Sequence, residues 1–278
     1  MAIWLPLLPT DRLQRQNIAA LSDRPLAFYA KSGNAFVLTA VNARAMRLGL
    51  RDGMALTDAR AICSTLVALE SDVRADAALL DQIAAWCERY TPITVLDPPH
   101  GLFLDVTGCA HLYDGEAAML ADVKTRIKAQ GFHICAAIAP TLGAAWALAH
   151  FQTARHRGPD IVEAGNLQEA LASLPISALR LEPDAAAWLK RLGLKFVGQI
   201  AEAPRAAFTA RAGQKAMQRL DQALGRTSET FSPRRPPPPL YTQRKFAEPI
   251  ITLEALLCVA SDLCDHLCAE LDTKGMGA

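Results

Sequence analysis

Three stretches of this 278-residue sequence carry residue types at spacings that could do chemistry. The first is Val95 to Thr107, where Leu102, Phe103, Leu104 and Val106 are strand formers, Pro98-Pro99 and Gly101 punctuate a turn, and Asp105 interrupts the apolar run. This predicts a β-hairpin with an acidic edge. Asp97 and Asp105, joined by Asp11, are carboxylates that could hold a divalent cation for phosphoryl transfer, because magnesium takes hard oxygen ligands. The structural alternatives are a turn cap for Asp97 beside Pro98 and a framework role for Asp105.

The second stretch, Ala187 to Ile200, follows Leu-x-x-Leu-Gly-Leu-x-x-Val-Gly-x-Ile, the form of a helix-hairpin-helix. A glycine turn of that kind, with Gly193 and Gly198, brings backbone N–H groups to a phosphate. Lys190, Arg191 and Lys195 surround the turn, and Arg205, Arg211, Lys215, Arg219 and Arg226 follow. The motif also occurs as a plain helical hairpin, but the basic surround favours DNA, held without reading its sequence. The third stretch holds Cys264, His266 and Cys268. Leu253, Leu256, Leu257, Ala260, Leu263, Cys264, Leu267, Cys268 and Leu271 fall on one helical stripe with His266 off it, so core packing is the stronger reading than metal.

Charge supports the second stretch. The chain's net +1 hides a segment, Ile176 to Phe246, with 13 Lys and Arg against 5 Asp and Glu, which points to a polyanion partner or, more plainly, a solvated helical face. Seven scattered cysteines without a CxxC pair argue for reduced thiols in a cytoplasmic protein. No apolar run reaches the roughly 20 residues of a membrane span, and Ile3 to Leu8 is too short for a signal peptide.

The elements that must position these residues follow in order. Ile3 to Leu8 reads as a buried strand closed by Pro9 and followed by a polar loop. Pro25 to Leu38 reads as a two-stranded element around Ser32-Gly33-Asn34, and Ala40 to Leu66 as two short helices separated by Gly49 and Gly53. Asp72 to Tyr90 is an amphipathic helix with Ala77, Leu80, Ile83, Ala84 and Cys87 on one face. After the hairpin come a helix (Gly115 to Gln130), a strand (Phe132 to Ala139) and a helix (Thr141 to Phe151). The order β, α, β, β, α, β is a ferredoxin-like plan, hence an α+β fold. Ser232 to Pro239 reads as a stiff extended linker, and Lys245 to Ile250 with Thr252 to Asp272 as a strand and an amphipathic helix with an unpartnered stripe.

The Asp97 to Thr107 hairpin, the Ala40 to Leu66 helices and the Ala187 to Ile200 element together resemble the Y-family translesion DNA polymerases across nearly the whole chain. The resemblance implies a polymerase-like hand: palm at 1–10 and 67–165, fingers at 11–66, a helix-hairpin-helix thumb at 166–231, a linker at 232–239 and the start of a little finger at 240–278. On that plan the domain ends early and the chain looks truncated. In the family the palm strand carries a metal-binding Asp, its second acid and an aromatic gate; here these positions are Pro6, Leu8 and Asp11. The Asp-Glu pair of the hairpin becomes His100 and Gly101, the triphosphate-gripping Tyr becomes Val41, and a triphosphate-reaching Lys becomes Leu142. The partner Arg persists as Arg44, which reads equally as a phosphate contact or a cap on its own helix.

The forms Trp4-Leu5-Pro6, Asp97 to Leu112 and Pro140 to Ala149 resemble those of the non-catalytic branch of the family that serves the bacterial mutasome. That implies an adaptor on damaged or primer-template DNA in damage-induced mutagenesis. Its partners would be the sliding clamp, an error-prone C-family polymerase and a RecA-like accessory protein, with no membrane and no cofactor. The competing reading is a divergent translesion polymerase with magnesium held by Asp11, Asp97 and Asp105. A third is a scaffold whose thumb no longer touches DNA.

Overall fold

The computed structural model describes residues 1–16, 24–152, 158–202, 214–235 and 241–273. The chain opens with strand β1 (Ala2–Trp4), followed by helix α1 (Leu8–Gln16). The expected strand to Leu8 and the polar loop after it are corrected here. Pro6 has no N–H to give a ladder, so the strand stops short of it, and Pro9 falls in the first turn of a helix, where a missing N–H is harmless.

Strands β2 (Leu26–Ser32) and β3 (Ala35–Val41) form a hairpin through Gly33, whose φ of +60° suits a residue without Cβ. Helix α2 (Ala43–Arg47) starts at Asn42, whose side chain accepts from Ala45 N–H at 2.9 Å, and α3 (Leu56–Ile62) follows. Strand β4 (Val67–Glu70) adds in parallel to β2, a pairing too short to leave a pattern in the sequence. Leu38, Val41, Ala45, Leu50, Ala59 and Cys63 bury together as a small core of this region.

Helix α4 (Val73–Cys87) begins where Asp72 accepts from Ala75 N–H at 2.9 Å, and buries Leu80, Ile83, Ala84 and Cys87 at helical spacing. Ala77, expected on that face, is exposed. Strands β5 (Thr94–Asp97) and β6 (Gly101–Leu104) form the expected hairpin, then come α5 (Glu116–Ala129) and β7 (Cys135–Ala137). The sheet runs β5-β6-β1-β7 with every neighbouring pair antiparallel, the ferredoxin-like order. Strand β7 is shorter than the Phe132 to Ala139 expectation because only Cys135 to Ala137 pair with β1.

Both faces of this sheet are covered. Ile3, Leu102, Leu104 and Ala136 pack with Leu80, Ile83, Met119 and Val123 of α4 and α5. Ala2, Phe103 and Ala137 face the opposite way, into a helical layer. That layer comprises α6 (Leu142–Ala147) with a π turn at Leu148–Gln152, α7 (Leu167–Ala172), α8 (Pro183–Arg191), α9 (Val197–Ala201) and α10 (Gln214–Ala223). Leu171, Leu174, Leu189, Val197 and Leu220 are buried in it, each contributing about 1.5–3 kcal/mol relative to exposure. Helix α10 lies close against α6 because Gly143 has no side chain: a Cβ there would sit 3.0 Å from Ala223 Cα.

The chain divides into two compact units, Met1–Arg234 and Arg235–Ala278. The division falls inside the stretch expected as a linker, and Arg234 is tied to the first unit. Its guanidinium donates to both carboxylate oxygens of Asp81 (2.6 and 2.9 Å) and to Glu88 (2.6 Å), and its N–H donates to Thr94 O at 2.7 Å. Pro236 to Pro239 lie outside the described residues. In the second unit, α11 (Leu253–Thr273) buries no residue, so the expected core packing of Cys264 and Cys268 is not formed among the described residues. Lys245 to Ile250, expected as a strand, is not one. Among the described residues no helix is long and apolar enough to cross a membrane.

Arg234→Ala is expected to destabilise the first unit by about 1 kcal/mol, the upper end for partly exposed ion pairs. Hydrogen exchange at the residue 234 amide, read with chemical denaturation, checks both the loss of anchoring and its size.

Candidate functional site

The hairpin of β5 and β6 ends in the cross-strand pair Asp97 and Gly101, and β1 places Trp4 opposite Gly101 on its other side. Side chains of paired residues share a sheet face, so Asp97, Gly101 and Trp4 form one row. The row has no spare room: a Cβ on Gly101 would lie 2.8 Å from Asp97 Oδ2 and 2.9 Å from Asp97 O. Next to it Trp4 stacks on His150 (centroids 4.4 Å apart), and His150 stacks in turn on Trp146 (3.9 Å). The His150 Nδ1–H donates to Trp146 O at 2.9 Å, and burial pushes the imidazole down to about 4, so it is neutral near pH 7. Burial raises the Asp97 pKa, opposed by the charge of Arg180.

The family metal positions Pro6, His100 and Gly101 come together at the end of the sheet, where Leu5 N–H donates to His100 O at 2.9 Å and Trp4 pairs with Gly101, but none of the three is a carboxylate, and the carboxylates Asp11, Asp97 and Asp105 have separate partners. Pro6 lies beyond the end of β1, and Gly101 has no side chain. His100 is half-buried, its pKa lowered by burial and opposed by the charge of Asp76 on α4. Asp11 is buried and accepts from His133 N–H at 2.8 Å and from the His133 ring at 2.9 Å. Asp105 accepts from Thr107 N–H at 3.1 Å, and its bonds to Thr107 hold its carboxyl below the usual range. Its own N–H bonds Ile93 O, four residues from Asp97, so the two carboxylates are separated by roughly 13 Å along the strand, against the roughly 4 Å between ions of a two-metal site. Among the described residues no group of three or more His, Cys, Asp and Glu side chains could hold a metal ion. Magnesium does not fit this donor set.

The other carried-over positions are equally distinct. Val41 is buried in β3, and Arg44 is exposed on α2, where Asn42 rather than Arg44 provides the N-cap. Leu142 lines a cavity of about 690 Å³ with Asp105, Glu116 and Glu163. Carboxylates around such a cavity repel a triphosphate.

The basic hairpin forms as expected. Helix α8 ends in Lys190 and Arg191, Gly193 takes φ +79° in the turn, and α9 begins at Val197. Lys190, Arg191 and Lys195 are exposed together at its tip. Its backbone is less available than the motif suggests: Lys195 N–H and Phe196 N–H donate to Gln199 Oε1 (2.7 and 3.0 Å), and Val197 N–H donates to Leu174 O. Gly198 serves packing, since a Cβ there would meet Ala172 at 3.1 Å. Lys215, Arg219 and Arg226 are described, with Arg219 paired to Glu229 and Arg226 to Asp221; Arg205 and Arg211 lie outside the described residues.

Residues 11–150 match the impB/mucB/samB family. The chain belongs to that family. Within it, this Y-family chain is of the ImuB type: it is 46% identical to protein ImuB of Caulobacter vibrioides over 233 residues, 83% of this chain and 50% of that protein. DNA polymerase IV 2 of Mesorhizobium japonicum is 26% identical over 66% of this chain and 44% of its own length. The chain therefore spans about half the length of the curated relatives it matches. Its fold is that of the Y-family polymerases. An insertion ternary complex of Dbh DNA polymerase superposes with a TM-score of 0.69 at 17% identity, and DinB from Sulfolobus solfataricus with 0.67 at 18%, each over 83% of this chain and 68% of the other.

Sequence reading missed the Trp4, His150 and Trp146 stack, although two signals were present. Trp4 stands two residues before Pro6, hence on the same side of an extended chain, and Trp146 and His150 are four apart on one helix. Arg180 and Glu229, 49 residues apart, left no such trace.

Gly101→Glu is expected to destabilise the protein by about 1–3 kcal/mol, the range for overpacking a tight site, rather than rebuild a metal ligand; urea denaturation with and without manganese checks both. The His133 and Asp11 pair yields a pH dependence. The bond to Asp11 raises the His133 pKa, so its contribution is fully present below the unfolded value of about 6.5 and is lost as pH rises through the raised folded value. Asp11→Asn should remove this part of the fall in Tm between about pH 6 and pH 8, as followed by thermal melts.

Proposed function

We propose that this chain is the catalytically silent hand of a DNA-binding adaptor in bacterial translesion synthesis and damage-induced mutagenesis. The observation that carries the reading is the row of Asp97, Gly101 and Trp4, where no carboxylate can be added and an aromatic stack fills the adjoining space. In-line phosphoryl transfer draws most of its rate from positioning and from charge stabilisation by metal ions. A floor whose carboxylates face separate partners supplies neither.

In this reading residues 1–10 and 67–165 act as a palm, 11–66 as fingers, 166–231 as a thumb, and the second unit belongs to a little finger. DNA is held through Lys190, Arg191 and Lys195, whose cations reach phosphates without reading bases. Gly193 shapes that turn, Gly198 seats it, and Arg44 adds a phosphate contact from the fingers. The ImuB likeness extends the proposal to bridging a sliding clamp, a C-family polymerase and a RecA-like protein.

Primer extension with magnesium or manganese is expected to give no incorporation; incorporation abolished by Asp105→Ala would overturn the reading. Affinity for a primer-template duplex is expected to fall steeply with salt. Changing Lys190, Arg191 and Lys195 jointly to Ala should flatten the log affinity against log salt slope by up to about 2.7, at about 0.9 per phosphate contact. An unchanged slope would instead favour a scaffold that does not touch DNA.

A further inference from the structure

The turn between α8 and α9 carries more than charge. Two large apolar side chains stand in sequence beside Lys190, Arg191 and Lys195, and they are solvent-exposed: Leu192 at 54% and Phe196 at 47%. A single exposed apolar side chain is ordinary on a protein surface, so the setting decides what these two mean. No Asp or Glu occurs between Ala185 and Ala201, so every formal charge within the hairpin is positive. Of the two apolar side chains, only Phe196 presents a flat aromatic face.

The backbone beneath Phe196 is fixed. Phe196 pairs with Pro175 in an antiparallel bridge, Ile176 N–H donates to Lys195 O at 3.0 Å, and Val197 N–H donates to Leu174 O at 2.9 Å. Val197 and Ile200 then bury themselves in the helical layer. Phe196 also occupies the position that precedes α9, where Ser, Thr, Asp or Asn is favoured because those side chains bond the first N–H groups of a helix. Gln199 takes over that role, accepting from the Lys195 and Phe196 N–H groups at 2.7 and 3.0 Å. Both N–H groups are satisfied within the chain, and what position 196 presents to solvent is its ring. Phe36, exposed to a similar degree at 51%, meets Tyr29 edge-on at 5.5 Å, whereas among the described residues no ring lies against Phe196.

An aromatic ring on a fixed backbone, with cations beside it, has the chemistry of a stacking platform for a nucleobase whose phosphates the cations hold. Bases inside a duplex have their faces covered by their neighbours, and unpaired bases leave them open. We infer that Phe196 stacks on an unpaired base of single-stranded DNA adjoining the duplex that the basic hairpin grips, so that the hairpin distinguishes a primer-template junction from uninterrupted duplex. This rests on the DNA-binding reading above and adds to it a contribution that does not come from charge.

The test uses the full chain and two fluorescently labelled ligands of one duplex sequence, one blunt and one with a single-stranded template overhang, titrated over a series of salt concentrations. The parent is expected to bind the overhang ligand more tightly. Phe196→Ala and Phe196→Leu should each weaken overhang binding about tenfold, within the range that one base–aromatic stack contributes. Blunt-duplex affinity should stay as in the parent, and the log affinity against log salt slope should not change, because no phosphate contact is lost. Phe196→Trp, which keeps a stacking face, should retain the preference for the overhang. Full overhang affinity in Phe196→Leu would overturn the inference, and so would an equal loss on both ligands, the mark of an apolar wedge in a duplex groove. Should Phe196→Ala lower Tm, the comparison of Phe196→Leu with Phe196→Trp decides on the same criteria. A parent whose affinity does not fall with salt overturns the DNA-binding reading and this inference together; a parent whose affinity falls with salt, with variants that bind as it does, overturns this inference alone.

Discussion

The rest of this hand depends on a contact between two atoms of Asp97 and a hydrogen. Gly101 must be glycine because its partner across the hairpin already occupies the space on that face, and Trp4 closes the other side of the row. Close-packed interiors transmit such a constraint instead of absorbing it. The aromatic stack sits on this floor, α6 packs over the stack, and α10 packs against α6 through Gly143. A side chain larger than hydrogen at position 101 therefore meets layers that are each filled by the next.

The π turn after α6 has a place in this order. His150 follows Trp146 by four residues, which puts both on one helix face, and the ring of His150 lies between the two indoles. An imidazolium there would have to shed its hydration among aromatic rings, and the low His150 pKa records that cost. Its Nδ1–H is satisfied by Trp146 O, so the stack contains a polar ring without an unpaired donor at that nitrogen. What resembles a vacated catalytic floor is a packed and largely satisfied interior.

Much of this was legible from residue pattern. The hairpin around Pro98-Pro99, the amphipathic α4, the order of the ferredoxin-like sheet and the basic hairpin all follow from local signals: strand formers beside turn residues, apolar spacing of three and four, glycine between cations. What failed was of two kinds. Local boundaries failed where proline chemistry outweighed hydrophobicity, as at Pro6 and Pro9, where an apolar run became a short strand and a helix. Long-range partners failed because no periodicity encodes them: Arg234 with Asp81 and Glu88, and Arg180 with Glu229, are chosen by topology. Gly198 shows the limit of a motif, since the residue is the expected one and its role is helix packing.

Charge is separated locally on this fold. The net charge of +1 says nothing about this, because fields from exposed charges fade over about 10 Å at moderate salt. What acts locally is the trio of Lys190, Arg191 and Lys195 at the hairpin tip, and the trio of Asp105, Glu116 and Glu163 around the cavity beside the sheet. A polyanion is attracted to the first and a triphosphate is repelled by the second.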